Sequence, residues 1–184
     1  VIIQMAKNNN LRVYNIEYNK VNGGSARYYI CHIESIYKEK KERIKKVLND
    51  EIKFGLKKKN TYKIFFVKIN TIKKRLQIML KNIKKKGGSI HGYGASTKGN
   101  VLLQFFNIGK ETIDCIADRN PLKSGCYTPG TKIKIVSEKF SRSKNPDYYL
   151  VLPWHFKKEI LQREKSIRKR GTKFIFPLPI PKII

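Results

Sequence analysis

Acidic side chains are scarce in this chain: 13 Asp and Glu stand against 41 Lys and Arg, a net charge of +28. Cysteine is scarcer still. Cys31, Cys115 and Cys126 lie far apart and form no Cys-x-x-Cys, which argues against a paired-cysteine metal site and against a disulfide framework. No apolar run approaches the roughly 18 residues that span a bilayer, and the first residues lack the basic, apolar and small-residue regions of a signal peptide. The expectation is a cytoplasmic protein with no membrane partner and no metal. Arginine-rich clusters, zinc fingers and aromatic RNA-binding motifs are also missing. The positive charge is mainly Lys spread over the whole chain beside many Ile and Asn, the mix that A- and T-biased coding produces. Such a pattern reads as a solvated lysine surface with no specific nucleic-acid partner, although a basic nucleic-acid-binding protein stands as one alternative. What is present, 40% apolar and 11% aromatic residues, is enough for a folded core.

Two stretches within residues 11 to 33 have strand patterning, with Leu11, Val13 and Ile16 in the first and a turn over residues 19 to 24. A lone hairpin is marginal in water, so this one must belong to a larger sheet. Residues 38 to 54 carry Ile44, Val47, Leu48 and Ile52 on one helical face. In the next segment two rules conflict. TYKIFFV has strand propensity, yet Tyr62, Phe65, Ile69, Ile72, Leu76, Met79 and Ile83 recur at spacings of three and four, which only a helix places on one side. The expectation is one helix over residues 61 to 85, stopped by Gly87-Gly88. Beyond it the chain alternates: strands at 88 to 93, 112 to 117, 132 to 136, 148 to 152 and 173 to 176, a helix at 97 to 107, another marked by Phe156, Ile160 and Ile167, and a proline-rich tail. That order predicts an α/β fold, a mostly parallel Rossmann-like sheet with helices on both faces. The expected divisions are residues 1–36, the end of a sheet; 37–86, a helical linker; and 87–184, the Rossmann-like domain.

The most informative stretch is HGYGASTKGN, residues 91 to 100. A dinucleotide loop would read G-x-G-x-x-G, but Thr97 stands at the third glycine; a P-loop would need Lys where Asn100 stands. The loop nonetheless falls between a strand and a helix, where free backbone N–H groups and the helix dipole favour an anion. Gly94 permits a tight turn, Ser96 or Thr97 can cap the helix, and Lys98 adds a mobile charge. A sharp strand-to-helix turn with a hydroxyl cap explains the same residues, and both readings are open. Asp118 ends the next strand, where a dinucleotide fold puts its ribose-binding acid; a turn over Asp118-Arg119-Asn120-Pro121 is the simpler account. Tyr127 and His155 follow later strand ends. His91, inside a strand, is expected to be structural, and His32 has no identifiable partner.

Four segments in order, GYGASTKGNVLLQF, IADRNPLKSGCYTPGTKIKIV, PDYYLVLPWHFKKEILQRE and GTKFIFPLP, resemble the carboxyl-terminal domain of the sugar-nucleotide C-methyltransferases. Upstream, Asn22-Gly23-Gly24-Ser25-Ala26-Arg27 resembles that family's Gly-Gly-Ser-x-Arg hairpin near the end of its methyltransferase domain. The resemblance implies a parent enzyme that uses S-adenosylmethionine to methylate a carbon of a dTDP-linked keto deoxysugar. It also implies an amino-terminal zinc domain and a methyltransferase domain that this sequence does not contain, and the family's catalytic Glu-His pair does not occur here. By the same resemblance the carboxyl-terminal domain does not hold S-adenosylmethionine, so no cofactor is expected in this chain. A nucleotide diphosphate sugar would face Tyr93, Gly94, Ala95, Ser96, Thr97, Lys98, Asn100 and Asp118, with Tyr127 and His155 nearby. A nicotinamide-binding oxidoreductase domain is the alternative within the same fold class.

Overall fold

The structure, a computed structural model, describes residues 1–184. The chain divides into two compact units, Val1–Phe66 and Val67–Ile184.

The first unit contains α1 (Ile2–Lys7), an antiparallel hairpin of β1 (Leu11–Asn19) and β2 (Ser25–His32), and α2 (Lys41–Phe54). The hairpin is a sheet of two strands and not part of the larger sheet expected, its apolar face covered by α1 and α2. Its core is Ala6, Val13, Ile16, Ile44 and Val47. Val13 and Ile16 are three residues apart, which would send them to opposite faces of a regular strand. A register shift between Val13 and Asn15 restores the parity, so both are buried. On α2, Ile44 and Val47 are covered, whereas Leu48 and Ile52, expected on the same face, are exposed.

The stretch TYKIFFV is helical, as part of α3 (Lys59–Lys85). The three-and-four spacing holds in the later part of α3, where Ile72, Leu76 and Ile83, with Leu80, are buried in the core of the second unit and Ile69 and Met79 pack against it. Tyr62 and Phe65, expected on the same stripe, are exposed.

The second unit is a six-stranded sheet in the order β5-β4-β3-β6-β7-β8, formed by β3 (Ile90–Tyr93), β4 (Ile116–Asp118), β5 (Ile135–Ser137), β6 (Tyr148–Val151), β7 (Lys173–Phe176) and β8 (Lys182–Ile183). Five strands are parallel and β8 is antiparallel to β7. Alternation along the strands builds two cores. Ile90, Ile116, Leu150 and Ile175 face one side, with the stripe of α3 and with Leu102 and Leu103 of α4 (Thr97–Phe105). Tyr93, Ala117, Tyr149, Val151 and Phe174 face the other, with Ile160 of α6 (Lys157–Arg163) and Ile167 of α7 (Lys165–Lys169). This is the Rossmann-like α/β architecture.

Several boundaries differ from the periodicity reading for local reasons. Thr112 and Ile113 donate their N–H groups to the Gly109 carbonyl, a turn that delays β4. Lys132 has φ of 52°, which no strand accommodates, so β5 starts later. The helix expected across Phe156 to Ile167 is three pieces: a 3-10 turn at Trp154–Phe156, then α6 and α7, with Glu164 between them at φ −94°, ψ 24°. One helix was not expected at all, α5 (Glu138–Ser143), whose single buried residue is Ser141.

Candidate functional site

The chain enters this sheet at its centre, in β3, runs outward through β4 and β5, and returns to β6 on the other side of β3. The loops after β3 and β6 therefore leave in opposite directions at the carboxyl ends of adjacent strands, the place where open α/β sheets hold ligands. A cavity of about 460 Å³ lies there. Its walls are Tyr93, Gly94 and Ser96 after β3, Asp118, Arg119 and Lys123 after β4, Glu138 of α5, Pro153 and Phe156 after β6, and Glu159, Ile160 and Arg163 of α6. A larger hollow of about 590 Å³ at the amino-terminal ends of β3, β6 and β7 is lined by Gly87, Asp147 and Lys173 among others. No pair of loops diverges there, so topology favours the smaller cavity over the larger one.

The β3–α4 loop is fixed from three directions. The Tyr93 carbonyl accepts from Leu152 N–H at 3.0 Å, and Gly94 N–H donates to the Ala117 carbonyl at 2.7 Å. Gly94 has φ of 79°, and a Cβ there would lie 2.9 Å from Pro153 Cγ and Cδ. Glycine is required on both counts. Ser96 caps α4, its hydroxyl accepting from Gly99 N–H at 3.0 Å. A Cβ on Gly99 would sit 2.6 Å from Leu152 Cβ, so this glycine lets the first turn of α4 press on the end of β6. The other N–H groups of that first turn lie outside the helix's own ladder, at its positive end. Replacement of Ser96 by alanine should cost about 1 kcal/mol by loss of the cap, read as a lowered urea midpoint of the full chain.

Asp118 fastens the loop to the next strand end. Its Oδ2 accepts from Ala95 N–H at 2.7 Å and its Oδ1 from Asn120 N–H at 2.8 Å. Lys123 Nζ lies 3.5 Å from Oδ2 and donates to the Ala95 carbonyl at 2.9 Å. This carboxylate is engaged with the protein on both oxygens.

The structure thus brings Tyr93, Gly94, Ser96 and Asp118 to one cavity, with Ala95 tied behind them. Thr97 and Lys98 are exposed on the first turn of α4 and do not line it. Asn100 is half-buried with Oδ1 unpartnered. His155 is half-buried in the 3-10 turn after β6, with Nδ1 unpartnered; burial, and then the charge of Lys98, hold its pKa below the usual imidazole range. Tyr127 is exposed, bridges to Lys134 and stands outside the cavity wall. His91 belongs to a buried chain away from the cavity: its Nδ1 is 2.8 Å from Ser141 Oγ, which is 2.8 Å from Tyr149 Oη.

Beneath the cavity is a polar cluster that the sequence does not announce. Tyr93 Oη donates to Glu164 Oε1 at 2.7 Å and accepts from Arg163. Arg163 also donates to Glu164 Oε1 at 3.1 Å and to Glu138 Oε1 at 2.7 Å. Arg142 joins the same two carboxylates, at 2.7 Å to Glu164 and 3.0 Å to Glu138. Glu164 is only 2% exposed, so the two guanidinium groups and the phenol together satisfy a buried charge. Glu138 and Arg142 are four residues apart on α5 and Arg163 adjoins Glu164, but these two local pairs and Tyr93 lie up to 71 residues apart in the chain, and no local spacing brings the three together.

Burial, and then the Glu164 carboxylate, push the Tyr93 phenol well above its ordinary pKa. A raised folded-state pKa means that the native phenol keeps its proton where the unfolded one loses it. The associated stability is fully present below the unfolded value, about pH 10, and is lost as pH rises beyond it. Tyr149 and Cys115 are also raised by burial, Cys115 to about 11, so only a comparison isolates Tyr93. Tyr93→Phe should flatten the fall in denaturation midpoint above pH 10, and identical slopes in both proteins would contradict this assignment.

No group of three or more His, Cys, Asp or Glu side chains comes together to hold a metal ion, and the three cysteines are unpaired. No helix is long and apolar enough to cross a membrane.

The fold defines a Rossmann-like α/β domain with a cavity at the topological switch point. Residues 20–179 match the family described as the C-methyltransferase C-terminal domain, and the chain belongs to that family. It is similar to the C-methyltransferase NovU of Streptomyces niveus, with 30% identity over 174 residues. The alignment covers 95% of this chain and 41% of that protein, so the chain spans well under half the length of this relative.

Proposed function

We propose that this chain is the sugar-nucleotide-binding part of a C-methyltransferase that uses S-adenosylmethionine and acts on a nucleotide-linked keto deoxysugar. The observation that carries the reading is the cavity at the carboxyl ends of β3, β4 and β6, where the capped start of α4 faces Arg119, Lys123 and Arg163. A helix start and cations around one cavity suit a phosphate ester. The apolar wall of Pro153, Phe156 and Ile160 suits the rest of a nucleotide.

The residues do not fit a cofactor held in the manner of a dinucleotide fold. The acid that would read a ribose, Asp118, has both oxygens engaged by Ala95 and Asn120. The spaces that Gly94 and Gly99 keep open are filled by Pro153 and Leu152. Both observations weigh against the nicotinamide reading as well. In this proposal the methyl donor and the base that removes a proton next to the sugar ketone belong to the remaining length of the longer enzyme. The role of the present chain is to bind the nucleotide sugar and orient it, which lowers the barrier through positioning.

Calorimetric titration of the chain with dTDP and a dTDP-linked sugar tests this. Heat is expected for both, weakened in Ser96→Ala and Lys123→Met variants, whose side chains line the cavity; no heat, or the same heat in the variants, would overturn it.

A further inference from the structure

Arg163 is presented to the cavity in an unusual state for a partly exposed arginine. Its Nε is held by Glu164, and its Nη2 by Glu138 and the Tyr93 hydroxyl. The guanidinium also lies over the Tyr93 ring, 5.4 Å from its centroid. Nη1 takes no part in these bonds, and the residue lines the cavity with its side chain 36% exposed. A flexible side chain has therefore already given up its rotamer freedom before any ligand arrives. Ordering such a side chain on binding otherwise costs about 0.5–1.5 kcal/mol.

The charges around it decide what it can receive. Glu138 and Glu164 are matched by Arg142 and Arg163, so the cluster as a whole presents no excess negative charge to the cavity. Lys123 is matched by Asp118. Arg119 lines both this cavity and the adjoining hollow beside Arg170, and it is offset by Glu159 on the same wall. Both are exposed, where water screens them, so the lining side chains carry no net charge and the positive end of α4 is not opposed. Pro153, Phe156 and Ile160 supply apolar surface beside the guanidinium, which strengthens its attraction to an oxyanion.

We propose that Arg163 contacts the ligand in this cavity, donating from Nη1 to a phosphate oxygen, and that Glu138 and Glu164 are its positioning residues. The assignment rests on the nucleotide-sugar reading above and deepens it, because it adds a contact on the α6 side of the cavity to the α4 start. A charge-assisted hydrogen bond of this kind corresponds to about a tenfold or larger change in affinity.

Titration of the full chain with dTDP, and separately with inorganic pyrophosphate, provides the test. Arg163→Met should weaken both by about tenfold or more, Arg163→Lys should weaken them less because it keeps the charge, and Glu138→Gln should weaken them while Arg163 is still present. A second measurement needs no variant. Phenylglyoxal modification of the native chain, followed by peptide mass spectrometry, should show Arg163 protected by saturating dTDP and Arg12 not protected. Wild-type affinity in Arg163→Met, or equal modification of Arg163 with and without dTDP, would overturn the assignment and leave the nucleotide-sugar reading standing. A wild-type chain that binds neither dTDP nor pyrophosphate overturns both.

Discussion

Valine in place of Gly94 is expected to lower the unfolding free energy of the second unit by about 3 kcal/mol and to abolish dTDP binding. Two independent costs add. A φ of 79° is strained for any side chain and worst for a β-branched one. The new Cβ would also meet Pro153 at 2.9 Å, and a proline ring in the turn after β6 has little freedom to retreat. Relief would separate the ends of β3 and β6, which lie beside each other through the Leu152 to Tyr93 hydrogen bond. The cavity opens between those two ends, so the same displacement that lowers stability would displace Ser96 and Phe156 from each other. Urea unfolding and calorimetry on the same preparation check both parts; a stability loss under about 1 kcal/mol would show that the turn does not need glycine.

Alanine in place of Glu164 is the second large change. The buried carboxylate is the meeting point of Arg142, Arg163 and the Tyr93 hydroxyl, and its removal leaves these groups without their shared partner. Removal of one side of a buried pair typically costs about 3–5 kcal/mol. The two arginines are about one-third exposed and retain Glu138, so water and the second acid recover part of it, and about 2–3 kcal/mol is expected here. Glu164→Gln should fall between the variant and the native chain, because an amide oxygen still accepts from a guanidinium. If Glu164→Ala unfolds at the native urea concentration, the cluster is not holding α6 and α7 to the sheet.

What the sequence revealed and what it concealed divide along the range of the interactions. The α3 helix was legible because Ile72, Leu76 and Ile83 repeat within a few residues of one another. The β3–α4 loop was legible because Gly94, Ser96 and Gly99 carry their constraints locally, although the partners that make the glycines necessary, Pro153 and Leu152, lie on another strand end. Helix α5 escaped because EKFSRS has no apolar stripe; it is held by the Ser137 cap and by the charges of Glu138 and Arg142. The cluster around Glu164 escaped because Tyr93, Glu138, Arg142 and Arg163 meet only when three separate elements have packed. Asp118 was visible as a residue, but its attachment to Ala95 N–H depends on the pairing of β3 with β4. The resemblance to the C-methyltransferases supplied the family, and the cavity at the switch point showed which of its residues stand together.

The most direct measurement is a crystal structure of the chain soaked with a dTDP-linked sugar. Density is expected in the cavity bounded by Ser96, Phe156 and Arg163, with the diphosphate between the start of α4 and the Arg163 guanidinium. A nucleotide bound instead in the hollow beside Gly87 and Asp147, at the opposite end of the strands, would contradict it.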